Sequence, residues 1–328
     1  MITKPTLFIL GAGASIPYGF PSGATLRNRI CEAASHKASG LAYSMFRHLG
    51  FEMEEVHEFA TAFRDSRLAS IDSFLSRRRE YSDIGKLVIA ALLIPSEQEA
   101  EFNLNVDDDW YFYLWNAIIS NVSDISELSF NQLRIFTFNY DRSIERYLHT
   151  AIINTFNVSN EEALEALSHF NIHHVYGSLG LYGYIDDFEN SVRAYSGEHS
   201  KEAIQVAASK IRVIPEARSD DAIFIKAKEA FNWAEHVCFL GFGFDSLNIE
   251  RLGFNSVNSS ESGELWNRYL NKNVVTSAYG RTRSQMDFAH SALFDCPSNR
   301  GLPTWEFGVY SSNTEQLFHH VEQPFQHK

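Results

Sequence analysis

Near the start of the chain an apolar run, Thr6-Leu7-Phe8-Ile9-Leu10, passes directly into Gly11-Ala12-Gly13-Ala14-Ser15. A short, apolar run ended by glycine is the pattern of a strand buried on both faces of a parallel sheet. Parallel neighbours are joined by crossovers, most often helices, so this stretch selects an α/β architecture. Glycines at 11 and 13 let the main chain bend sharply and let its N–H groups approach a phosphate closely. A nucleotide of the NAD type is the ligand such a turn implies, and a ligand-free strand-to-helix turn is the alternative.

The rest of the chain repeats the theme after a long helical interval. Leu26, Ile30 and Ala33 carry a first helix, and Met53, Val56, Phe59, Ala60 and Phe63 fall on one face of another. Ser70 is placed to cap a helix opening at Ile71, a further helix is expected to stop at Pro95, and Asp107-Asp108-Asp109 precedes an aromatic-rich helix. Strand patterns return at Leu133–Phe138, Ile172–Tyr176, Arg212–Ile214, Val237–Leu240 and Asn273–Ala278, with helical patterns between most of them. The expected fold is therefore a Rossmann-like parallel sheet with helices on both faces. Residues 1–30 and 129–328 form its core, and 31–128 a helical insertion packed on that core.

With 328 residues, 26 of them Phe, the chain has enough apolar material for a large core. A net charge of -13 argues against a general nucleic-acid backbone binder. Cys31, Cys238 and Cys296 have no paired spacing, so neither a disulfide framework nor a zinc site is expected, and no metal is assigned. No signal sequence or membrane-spanning run is read, which points to the cytoplasm. Arg77-Arg78-Arg79 reads as a solvated helix face, and His319-His320 lacks ligand spacing.

In open parallel sheets ligands bind beyond the carboxyl ends of the strands, so polar residues just past a strand matter most. Four such places stand out. The Gly11–Ser15 turn has Ile16 where a dinucleotide fingerprint carries a third glycine, and Glu32, at the distance of the ribose-binding acid, lies in a helical pattern. Thr137-Phe138-Asn139-Tyr140-Asp141 offers an amide for a ribose hydroxyl or a water, and Asp141 as either a site residue or a helix cap. In Ile172-His173-His174-Val175-Tyr176-Gly177-Ser178 alternation puts His174 and Tyr176 on one face, with His174 a base or simply a strand histidine. Gly241-Phe242-Gly243-Phe244-Asp245 is a second glycine turn, with Asp245 a ligand contact or a cap. Gly177-Ser178-Leu179-Gly180 does not match a nucleophile elbow.

In order and content these pieces resemble the sirtuin-like family. Gly11-Ala-Gly-Ala-Ser15 with Gly19-Phe-Pro-Ser22, Phe138-Asn-Tyr-Asp141, His174-Val-Tyr-Gly-Ser178 and Leu240-Gly-Phe-Gly-Phe-Asp245 are similar to its successive motifs. Ser70–Leu75 resembles a helical segment of its bacterial branch. The four-cysteine zinc module of the deacylases is missing, so the resemblance is to the NAD hydrolases of bacterial anti-phage defence. It implies release of nicotinamide and ADP-ribose, NAD depletion and abortive infection. It also implies homo-oligomers and a possible HerA-type ATPase partner, while the acidic charge and the lack of a spanning run leave no nucleic-acid or membrane binding expected. Asn139 and His174 would be catalytic with Asp141 in support. Gly11, Ala12, Gly13, Ala14, Ser15, Tyr176, Gly177, Ser178, Gly241, Gly243 and Asp245 would bind NAD. Family members carry histidine where this chain has Tyr176, so either His174 serves from two residues earlier or the chain binds a nucleotide without turning it over. An oxidoreductase is disfavoured by the missing third glycine.

Overall fold

The computed structural model describes residues 1–33, 46–47, 49–102, 109–213, 221–252, 272–277, 282, 284–285, 287–288 and 308–310. Cys296, His319, His320, Asp107, Asp108, Ile214 and Ala278 lie outside the described residues. The strands are β1 (Thr6–Leu10), β2 (Leu133–Thr137), β3 (Ile172–His174), β4 (Leu181–Gly183), β5 (Val192–Ala194), β6 (His236–Leu240), β7 (Asn273–Ser277) and β8 (Gly308–Tyr310). Six of them form one sheet in the order β3-β2-β1-β6-β7-β8, with every neighbouring pair parallel. With the separate β4-β5 ribbon set aside, this is the Rossmann order, and it reverses between β1 and β6.

The helices are α1 (Gly23–Ala33), α2 (Met53–Asp65), α3 (Ile71–Arg77), α4 (Ser82–Glu99), α5 (Trp110–Ile119), α6 (Ser143–Phe156), α7 (Asn160–Ser168), α8 (Lys201–Lys210), α9 (Ala222–Trp233) and α10 (Ser246–Leu252). Period-two alternation divides them into two layers. Leu7 and Ile9 of β1 point into a core shared with α1–α4 and α8–α10. Phe8 and Leu10 point into the opposite core, made with α5–α7. The stretch expected as an insertion, 31–128, thus feeds both layers: α2–α4 cover one face and α5 the other.

Local chemistry explains several helix starts. Ser70 Oγ accepts from Ser73 N at 3.1 Å and starts α3. The Asp109 side chain accepts from Phe112 N at 3.1 Å and starts α5. The expected stop at Pro95 is corrected, because α4 continues through it to Glu99. Proline removes the donor that would serve the Ala91 carbonyl, yet the helix carries on around it. The short strand expected at Arg212–Ile214 is reduced to a single bridge one residue earlier, between Ile211 and Gly177.

One ion cluster ties α4 to the start of α6 and to the ribbon. Arg142 donates to Glu97 through Nε (2.8 Å) and Nη2 (2.6 Å), and Arg193 Nη1 reaches the same carboxylate at 3.1 Å. All three side chains are buried. Arg142 also donates to the Leu181 and Arg193 carbonyls, which fixes the ribbon against the helix that follows Asn139.

Candidate functional site

Two glycine loops meet where the strand order reverses. Gly11 N donates to Leu240 O at 2.9 Å, and Gly13 N donates to Gly241 O at 3.1 Å. A Cβ on Gly11 would lie 2.6 Å from Gly241 O, and one on Gly241 would lie 2.0 Å from Ala14 N. Gly241 also has φ +57, in the left-handed region. The glycines therefore let two strand-end loops touch. Ala14 N and Ser15 N donate to Gly11 O and Ala12 O, so of the Gly11–Ser15 loop amides, expected to approach a phosphate, those of Gly13, Ala14 and Ser15 are bonded within the chain.

Asn139 follows β2 and reaches across to this loop. Its Nδ2 donates to Gly11 O at 3.0 Å and to Ser15 Oγ at 2.9 Å, and its N–H donates to Thr137 Oγ1 at 3.0 Å. A carbonyl oxygen only accepts, so the bond to Gly11 O fixes which end of the carboxamide is nitrogen. The other end, Oδ1, is buried and has no hydrogen-bond partner. A buried acceptor without a donor is costly, and a hydroxyl or a water is among the groups that would satisfy it.

A chain of hydroxyls extends from this amide. Ser15 Oγ lies 3.4 Å from Ser143 Oγ, which lies 2.7 Å from the Tyr111 hydroxyl. Asp141 Oδ1 accepts from Ser143 N at 3.1 Å and from the Ser143 hydroxyl. The cap and site readings of Asp141 are therefore both compatible with its place. Burial raises its carboxyl pKa, opposed by the hydrogen bonds from Ser143 and Ser15 and the charge of His174.

His174 ends β3 and faces α6. Its Nδ1 lies 2.8 Å from the Asn139 carbonyl and its Nε2 2.7 Å from Glu145 Oε1. Burial pushes the imidazole pKa down, but the Glu145 carboxylate, the Asn139 carbonyl and Asp141 outweigh it and raise the value. Both ring nitrogens are thus engaged by oxygen atoms of the chain, so the base role expected for His174 would need one of these contacts to open.

The shared face expected for His174 and Tyr176 is also corrected. The strand stops at His174, and Gly177 turns the chain with φ +73. Tyr176 passes into the opposite layer, where its hydroxyl donates to Asn248 Oδ1 and accepts from Arg251 Nη1 at 2.9 Å. Next to it the Tyr140 hydroxyl donates to Asp72 at the start of α3, and Phe138 and Phe242 pack at 5.0 Å. Gly177 and Ser178 form the turn itself. A Cβ on Gly177 would overlap Lys210 O, and Ser178 Oγ donates to Gly180 O at 2.9 Å.

Gly11, Ser15, Asn139, Asp141 and His174 thus join one hydrogen-bonded cluster, Gly241 packs against its glycine loop, and Tyr176 lies across the sheet. Gly243 and Asp245 are exposed, and Asp245 Oδ1 accepts from Asn248 N at 3.3 Å near the start of α10. Sequence reasoning missed Glu145, Ser143 and Tyr111. The signal for Glu145 was available: an acid beside the buried Ile144-Leu148-Ile152 stripe of α6. Among the described residues no three His, Cys, Asp or Glu side chains gather as a metal site, and no helix is long and apolar enough to cross a membrane. No family model and no curated protein matches the chain.

Proposed function

We propose that the chain is an NAD+ glycohydrolase whose site is organised by Asn139. The observation that carries this reading is the Asn139 carboxamide, with its nitrogen tied to Gly11 and Ser15 and its Oδ1 buried without a donor at the sheet's switch point. Such an acceptor is suited to a ribose hydroxyl or a positioned water. The order of sequence motifs supplies the identity of the ligand.

In this reaction the bond from the ribose anomeric carbon to the nicotinamide nitrogen breaks, and its electron pair leaves with the ring as neutral nicotinamide. A water oxygen then bonds to the anomeric carbon and loses one proton, giving ADP-ribose. A path of oxocarbenium character asks more for positioning of ribose and water than for early deprotonation. Asn139 supplies the positioning. Asp141, with its pKa raised by burial, is the carboxyl in the cluster suited to take the proton. Its resemblance to defence effectors extends the proposal to NAD depletion during infection, in the cytoplasm, by an oligomer or with an ATPase partner.

A second reading, a subunit that binds NAD or ADP-ribose without turnover, is favoured by one observation. Tyr176 takes the family's histidine position and is held between Asn248 and Arg251. Chromatography of NAD+ incubated with the chain, alone and with the product of any neighbouring gene, separates the two. Matched release of nicotinamide and ADP-ribose supports hydrolysis. Calorimetric binding with NAD+ recovered intact supports the second reading, and neither signal rejects both.

A further inference from the structure

We infer that Glu145 and His174 act as a positioning pair, clamping the Asn139 main chain from which the ligand-facing carboxamide projects. This rests on the role of Asn139 proposed above.

The imidazole sits between a carbonyl oxygen and a carboxylate oxygen, 2.8 and 2.7 Å away. Neither partner has a proton to give when Glu145 is ionised, so both ring nitrogens donate and the ring is a cation. Glu145 is buried, and its second oxygen, Oε2, has no other hydrogen-bond partner. The charged groups acting on the ring are Glu145 from α6 and Asp141 from the turn before it. His173, the next ring along β3, faces Phe136 at 4.8 Å instead. One end of the clamp is thus in the first turn of α6, and the other is the carbonyl of the residue whose side chain holds Gly11 and Ser15.

The sign of the pH dependence separates this role from that of a base. A histidine base gives activity that rises with pH through its pKa. A cationic clamp gives activity that falls as pH rises through it, because the neutral ring loses one of its two donors.

The test uses the full chain, with His174 imidazole resonances assigned through the loss of signal in His174→Gln. In the wild type the ring should be doubly protonated at neutral pH. In Glu145→Gln it should become neutral at lower pH, and the Asn139 side-chain amide resonances should move. On NAD+, Glu145→Gln should lower kcat by about tenfold to a hundredfold, with KM changed far less. Its alkaline limb should shift to lower pH, and Glu145→Asp should recover part of the rate. A neutral His174 in the wild type, unmoved Asn139 resonances, or activity rising through the His174 titration would overturn the inference. A wild type that cleaves no NAD+ rejects the proposed function instead, and the pair is then judged on the two resonance measurements.

Discussion

Gly13 donates its N–H to the carbonyl of Gly241 at 3.1 Å, joining the loops after β1 and β6 across the point where the strand order reverses. The two glycine turns, far apart in sequence, are one packed unit. Gly241→Ala puts a Cβ 2.0 Å from Ala14 N at a residue with φ +57, so a loss of at least about 2 kcal/mol is expected in urea denaturation. Unchanged stability would mean the loops do not meet as described.

Gly243, two residues on, is the contrasting case. A Cβ there meets nothing within 4 Å, and stability should change by less than about 1 kcal/mol in Gly243→Ala. If Gly243 lines the ligand path, the same substitution raises the dissociation constant for NAD+ in titration calorimetry. Unchanged affinity removes Gly243 from the site.

Glu97 is the shared partner of two buried guanidiniums, Arg142 and Arg193. Glu97→Gln leaves both positive charges buried without a compensating carboxylate, with an expected cost of about 3–5 kcal/mol. Thermal unfolding of this variant should begin well below that of the wild type. An unfolding midpoint equal to the wild type's would show that the triad does not tie α4 to α6.

The fold was more legible in the sequence than the site. Apolar runs ended by glycine or polar residues marked β1, β2, β6 and β7, because a strand buried on both faces leaves a dense local signal. The β4-β5 ribbon was missed: its three-residue strands, with Leu181 exposed and Arg193 buried, have no regular pattern. At the site, Asn139 stood out by its place after β2. The relation of His174 to Tyr176 did not, because it depends on where β3 stops, and Lys210 and Arg212, distant in sequence, set that turn. The acid at Glu145 was visible beside the buried stripe of α6, but its pairing with His174 was not, because the two are 29 positions apart and local pattern carries no information at that separation.

The His174 pair also predicts a pH dependence of stability. Its folded pKa is raised above the ordinary value of 6.5. The pair's contribution is therefore fully present below that value and is lost as pH rises through the folded pKa. The difference in unfolding free energy between wild type and His174→Gln should shrink from mildly acidic to alkaline pH. A difference that grows with pH would mean the imidazole is held neutral.

The most direct measurement is the rate of nicotinamide release from NAD+ by the wild type and by Asn139→Ala, under conditions where the wild type is active. Unfolding midpoints are taken on both proteins. The account predicts that the variant stays folded and that its rate falls by at least about a hundredfold, because the acceptor for ribose or water is gone. A folded Asn139→Ala that releases nicotinamide at the wild-type rate would contradict it.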